Sequence, residues 1–163
     1  MIVVSDNGPV AFLIQIGRIE ILAQLYGQVV IPTAVHMELS REQTPIVIRR
    51  WLATPPEWID VRSPNGHLQA GRSGLGEREA IQLAKELNAS LLCDYRQATS
   101  QAKRCGLSVT GTLGVLQVAH ARGLAEIEDA IEDLRNGTDF RIPEAILPEI
   151  IALAYQMRSR AAL

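Results

Sequence analysis

An α/β domain built on a largely parallel sheet is the fold class this sequence predicts, on three observations. Short β-type runs alternate with helical patterns along the chain. Hydrophobic residues make up 47% but aromatics only 4%, so the core has to be built from Ile, Leu, Val and Ala. No internal repeat, low-complexity stretch or long linker divides the 163 residues, which predicts one domain over 1–163 with a helical tail over about 143–160.

The elements follow in order. Ile2-Val3-Val4 is the first strand. Pro9 can open a helix, where its missing amide is an orphan in any case, and Val10, Leu13, Ile14 and Ile16 continue it to Gly17. Ile19 to Tyr26 is helical and ends at Gly27; Gln28 to Ile31 is the second strand, closed by Pro32. Thr33 is placed to N-cap a short helix through Leu39, and Pro45 to Ala53 forms another, stopped by Pro55-Pro56. Trp58 to Val61 reads as a strand, and the Gly-, Ser-, Asn- and Pro-rich segment from Ser63 to Gly74 as a surface loop. Glu77 to Leu87 is the clearest helix, with Ala80, Leu83, Ala84 and Leu87 in one stripe. Ser90 to Cys93 is a strand, Arg96 to Arg104 a helix, and Leu107 to Val109 the last strand. Gly114 to Arg122 and Ile127 to Leu134 are helices, and Pro148 kinks or starts the final segment of the tail.

Composition excludes several classes. A net charge of −2 gives no global pull on nucleic acid, although local basic clusters occur at Arg49-Arg50, Arg96, Lys103-Arg104 and Arg158 to Arg160. Each of these reads most simply as a solvated helix face. Cys93 and Cys105 are too few for a disulfide framework and lack metal-type spacing, as do His36, His67 and His120. No apolar run reaches the roughly 18 to 20 residues a membrane span needs, and the N-terminus has no leader pattern; a reduced, cytoplasmic protein is expected. Gly71-Arg-Ser-Gly-Leu-Gly follows no strand and lacks the Lys-Ser/Thr of a phosphate loop.

The chemistry rests on carboxylates. The first strand stops at Asp6 and a later one at Asp94, and ligands of open α/β sheets bind beyond such strand ends. Asp6-Asn-Gly-Pro is also strong turn chemistry, and Asp94 could cap a helix. At about 100° per residue, Glu38 falls on the same side of its helix as Val35 and Leu39. Glu77 lies about 60° from the Ala80–Leu87 stripe and Glu79 about 100° to its other side. Glu79 therefore suits first-turn dipole stabilisation, and Glu77 is the better ligand. Four convergent carboxylates would repel unless a cation joined them, and Mg²⁺ or Mn²⁺ takes such oxygens. A site of this kind supports attack of metal-activated water on a phosphodiester.

In order, the segments are the strand ending in Asp6, Ile31-Pro-Thr-Ala-Val-His-Met-Glu38-Leu, Gly76-Glu77-Arg-Glu79-Ala-Ile-Gln-Leu-Ala84, Leu91-Leu-Cys-Asp94 and Leu107-Ser-Val-Thr-Gly-Thr-Leu-Gly-Val-Leu116. Together, over about 1–124, they resemble the PIN-domain family, in its branch with Gly-Glu-x-Glu-Ala and Thr-Gly-Thr-Leu-Gly segments. The resemblance implies a PIN-like α/β/α sandwich with a central, mostly parallel sheet. It implies a Mg²⁺- or Mn²⁺-dependent endoribonuclease acting on RNA. Asp6, Glu38 and Glu77 take the places of its first three acids and Asp94 the acidic position after the later strand; Thr110 and Thr112 fall in the segment beside the site. Many relatives are VapC-like toxins of toxin–antitoxin pairs, so a homodimer and a small antitoxin partner are implied. This chain departs from that pattern at Asn7 and Gly8, where hydroxyl-bearing residues are usual after the first acid, and at Tyr95, where many members carry a second acid. Those departures motivate an alternative: a catalytically weakened PIN-like binding or assembly module. A receiver-like or nucleotide-binding domain with a single strand-end aspartate leaves Glu38 and Glu77 unexplained.

Overall fold

The computed structural model describes residues 1–163. Five parallel strands form one sheet in the order β3-β2-β1-β4-β5: β1 (Ile2–Ser5), β2 (Gln28–Pro32), β3 (Ile59–Arg62), β4 (Ser90–Leu92) and β5 (Val109–Thr110). The chain builds β1, β2 and β3 outward in one direction. It then returns to add β4 and β5 on the other side of β1, so strand order reverses at β1. In such sheets the ligand crevice opens beside that reversal, at the carboxyl ends of the strands.

Alternation along the strands divides the core into two layers. Val3, Val29, Ile31 and Leu92 point into the larger one. Against it pack α1 (Asn7–Gln15), α2 (Glu20–Tyr26), α3 (Thr33–Leu39) and α4 (Ile46–Ala53), with α7 (Thr112–Ala121), α8 (Ile127–Gly137) and α9 (Leu147–Ala161). Val4, Val30, Leu91 and Cys93 face the smaller layer under α5 (Leu75–Glu86) and α6 (Arg96–Arg104), where Ala80, Ala84, Ala98 and Ala102 allow close approach to the sheet. This is the α/β/α sandwich expected from the sequence.

Several boundaries differ for physical reasons. The helix read as opening at Pro9 begins at Asn7, so Asn7-Gly8-Pro9 form its first turn rather than a free turn. Pro9 fits there because first-turn amides have no intrahelical acceptor. Thr33 is not the cap of α3 but its first residue. The cap comes from across the fold, where the Glu79 carboxylate accepts the Ala34 N–H at 3.0 Å. The last strand is two residues long and displaced to Val109–Thr110. Gly106 (φ +79°) turns the chain three residues before it, and the Ser108 carbonyl accepts the Leu91 N–H at 2.9 Å at its entry. Pro148 lies in the first turn of α9, after a single 3₁₀ turn at Glu144–Ile146.

The tail is anchored at α7. His120, fully buried, accepts the Ile127 N–H through Nδ1 at 3.2 Å, and the Tyr155 ring meets it edge-on with centroids 4.5 Å apart. Arg158 donates to both Glu126 carboxylate oxygens at 3.2 Å. His120 is thus a core residue that joins α7 to α8. No helix is long and apolar enough to cross a membrane.

Candidate active site

Asp6 follows the last residue of β1. Its backbone N–H continues the ladder to the Leu92 carbonyl at 2.9 Å, which fixes where the side chain emerges. Although Asp6 occupies the N-cap position of α1, its carboxylate makes no capping hydrogen bond, so the turn-and-cap role does not account for it. Only 3% of the residue is exposed. Oδ2 accepts the Cys93 thiol at 3.5 Å, while Oδ1 is buried with no partner.

Burial pushes the Asp6 carboxyl up to about 6. The Asn7 backbone amide pulls the other way, and the charges of Glu77 and Glu38 add to the rise. Burial likewise pushes the Cys93 thiol up to about 12, helped by the Asp6 charge, so Cys93 stays a neutral donor.

Asp6, Glu77 and Asp94 line one cleft of about 250 Å³, closed by Asn7, Gly8, Phe12 and Tyr95. Glu77 enters from the first turn of α5. Asp94 enters from the loop after β4, and its carboxylate accepts the Thr112 backbone N–H at 2.7 Å and the Thr112 hydroxyl at 2.6 Å. It therefore caps α7, the helix opposite, rather than the α6 that follows it. Burial raises the Asp94 carboxyl above the ordinary aspartate range, against the lowering by the two Thr112 donors.

Glu38 stands beside this cleft rather than in it. Its Oε2 accepts from Asn7 Nδ2 at 2.7 Å, and it lines a larger neighbouring cleft of about 920 Å³ that shares Asn7, Gly8 and Phe12 with the acidic one. The Glu38 charge still reaches Asp6. Three of the four sequence-selected acids thus share a cleft and the fourth is tied to it through Asn7. No group of three or more His, Cys, Asp or Glu side chains is arranged so that it could hold a metal ion by itself. Glu79, set aside in the sequence, is engaged at α3.

The residues that position these acids were only partly visible in the sequence. A side-chain Cβ at Gly8 would lie 2.8 Å from Asp94 Oδ2, and one at Gly111 would lie 2.8 Å from Oδ1. Both glycines therefore leave room for that carboxylate. Gly76 does the same for Glu38, whose oxygens would be 3.2 Å from an added Cβ. Asn7 and Gly8, the departures after the first acid, each serve an acid here: Asn7 orients Glu38, and Gly8 admits Asp94.

In its chemistry, though not in its spacing, the donor set suits a hard divalent cation. It is all oxygen, and of the four buried side-chain polar atoms without a partner, two are acceptors at this site, Asp6 Oδ1 and Asn7 Oδ1. A buried carboxylate oxygen with no donor is costly, and a cation removes that cost.

Comparison with known proteins agrees with this fold. No curated protein matches the chain. The fold is similar to that of a PilT N-terminus domain protein from the hyperthermophilic archaeon Sulfolobus solfataricus P2. The TM-score is 0.51 and the identity 21%, over 88% of this chain and 99% of that one. Residues 2–156 match the family described as DUF3368: PIN domain. The chain therefore belongs to the PIN-domain family, whose members are in general nucleases that use divalent metal ions.

Proposed function

We propose that this protein is a Mg²⁺- or Mn²⁺-dependent endoribonuclease, the toxin half of a toxin–antitoxin pair. The observation that carries the reading is the partnerless, buried Asp6 Oδ1 in one cleft with Glu77 and Asp94. Asp6, Glu77 and Asp94 would hold the ion, with Glu38 beside them. A bound divalent cation supplies an activated water and charge stabilisation for the leaving oxygen of a phosphodiester. The chain's own part is positional. Asn7 orients Glu38, Thr112 fixes Asp94, and the Cys93 thiol holds Asp6 Oδ2, leaving Oδ1 without a partner in the protein. The open cleft of about 920 Å³ next to Glu38 gives a polynucleotide room to leave the site on that side.

The decisive assay is cleavage of RNA with Mn²⁺ by the native protein and by Asp6→Asn. Loss of cleavage in the variant is expected; equal activity in both proteins rejects the assignment. The toxin reading adds a homodimer and a small antitoxin. Exposed Met37 on α3 and Ile46 and Val47 on the adjoining α4 offer apolar surface for either contact. Growth arrest on expression, relieved by co-expressing a small neighbouring reading frame, is the expected outcome.

A second reading, a catalytically weakened binding or assembly module, is favoured by one observation. Both Asp94 oxygens are already engaged by Thr112, and the next residue is Tyr95 rather than a second acid. Calorimetry separates the two readings, since absence of Mn²⁺ binding at millimolar concentration favours the second.

A further inference from the structure

We propose that the cleft between the loop at residues 69–73 and α6 binds backbone phosphates of the RNA strand beside the scissile bond. This inference rests on the ribonuclease reading for its substrate, but on different residues. The cleft has a volume of about 580 Å³ and is lined by Arg72, Arg96 and Arg104, with no acidic residue in its wall. Ala70 and Cys105 are its only apolar lining; the rest is glycine, hydroxyl, amide and guanidinium.

The arginines are free to bind. The ion pairs of the protein engage Arg18, Arg62, Arg135 and Arg158, and none of the three cleft arginines. On a chain of net charge −2, three exposed, unpaired guanidiniums around one polar cleft set up a local positive field that attracts anions. Guanidinium geometry matches phosphate oxygens through paired N–H donors.

The wall is built rather than incidental. The Ser73 hydroxyl, on a buried residue, donates to Gln101 Oε1 at 3.2 Å, and the Cys105 thiol donates to Gln69 Oε1 at 3.3 Å. A Cβ at Gly71 would lie 3.2 Å from the Gln101 amide, so the loop is seated directly on α6.

Continuity with the acidic cleft selects the ligand. Tyr95 lines the acidic cleft and Arg96 lines the basic one, and consecutive Cα atoms are only about 3.8 Å apart. On the other wall, Ser73 precedes Gly74, where a Cβ would lie 2.5 Å from the Glu77 carboxylate. The two clefts thus adjoin at Tyr95–Arg96 and at Ser73–Gly74, and a strand held at Asp6 has a path toward the arginines. Tyr95, 53% exposed, offers an aromatic face at the junction. An acidic protein segment would meet the same charges but little apolar wall to anchor its side chains.

The test uses the full chain carrying Asp6→Asn, so that RNA is not consumed, and a fluorescein-labelled single-stranded 20-nucleotide RNA read by anisotropy from 50 to 200 mM salt. Every phosphate deprived of its protein cation takes about 0.7 off the slope of log K against log salt on a single strand. Arg72→Gln, Arg96→Gln and Arg104→Gln should each lower the slope by about that amount, and the triple variant by about 2. Lys85→Gln, an equal charge change on the exposed end of α5, should leave the slope as it is. Arg→Lys at the three positions should restore most of it, and thermal melting of every variant checks the fold. An unchanged slope in the triple variant overturns the proposal. So does a triple variant that loses binding to poly-glutamate while keeping its affinity for RNA, which assigns the cleft to an acidic protein segment. If the protein with Asp6 intact fails to cut RNA in Mn²⁺ while the slopes fall as stated, the phosphate site stands and the hydrolytic reading falls.

Discussion

Replacing Asp6 with asparagine should make the metal-free protein more stable at neutral pH, although it removes the acid at the centre of the proposed active site. The carboxyl is held at about 6 by burial and by the neighbouring Glu77 and Glu38 charges, against 3.8 in an unfolded chain. A rise of a little over two pH units corresponds to about 3 kcal/mol, at about 1.36 kcal/mol per unit. The sign is the reverse of a salt-bridged aspartate. Between pH 3.8 and 6 the folded state keeps a proton that the unfolded state has lost, so stability falls as pH rises through that window and stays low above it. Asparagine has no such charge to bury, and its Oδ1 can still accept the Cys93 thiol. For a domain of this size about 3 kcal/mol is a Tm gain of roughly 6–12 °C.

The assay is a set of melting curves in EDTA for both proteins from pH 4 to pH 8. The Asp6→Asn advantage should be full at pH 7.5 and nearly absent at pH 4. Adding Mn²⁺ at about 100 times its Kd should then raise the native protein by about 2.7 kcal/mol and leave the variant unmoved. A Tm difference that is independent of pH, or a native protein more stable than the variant at pH 7.5 in EDTA, refutes the account of a buried and uncompensated charge.

Other perturbations isolate the supporting residues. Thr112→Val removes the buried hydroxyl donor to Asp94 and should cost about 1.5–3 kcal/mol in urea unfolding, because the acceptor is charged. Gly8→Ala would ordinarily favour a helix by about 0.8–1.0 kcal/mol. Here the new methyl meets Asp94 Oδ2, so the variant should lose stability and Mn²⁺ affinity together; a gain in stability with unchanged affinity would falsify the placement of Asp94. Glu79→Ala should cost about 1 kcal/mol through loss of the α3 cap while calorimetric Mn²⁺ affinity is retained. Glu77→Gln should do the opposite, lowering Mn²⁺ affinity with little loss of stability.

Period and punctuation made most of the fold legible. Val3 and Val4, Leu91 and Leu92 alternate between the two layers, and the strands stop where Asp6, Pro32 and Cys93 mark their ends. The strand ends then named Asp6 and Asp94, and helical geometry separated Glu77 from Glu79. What stayed hidden was the use of partners distant in sequence. Glu79 caps a helix 45 residues earlier, and Thr112 holds a carboxylate 18 residues away. Helix propensity carries no trace of such pairings. Asn7-Gly8 misled for a related reason: their local turn chemistry was overridden by the needs of Glu38 and Asp94, which touch them only in the folded chain.

The reversal of strand order at β1 has a consequence for how this protein comes into existence. Asp6 lies just past the first strand, but its companions arrive from α3, from α5 and from beyond β4, and Asp94 is fixed only once Thr112 starts α7. No shorter stretch of the growing polypeptide carries the assembled cleft. A chain that ends before Thr112 therefore holds the acids without the contact that fixes Asp94 among them.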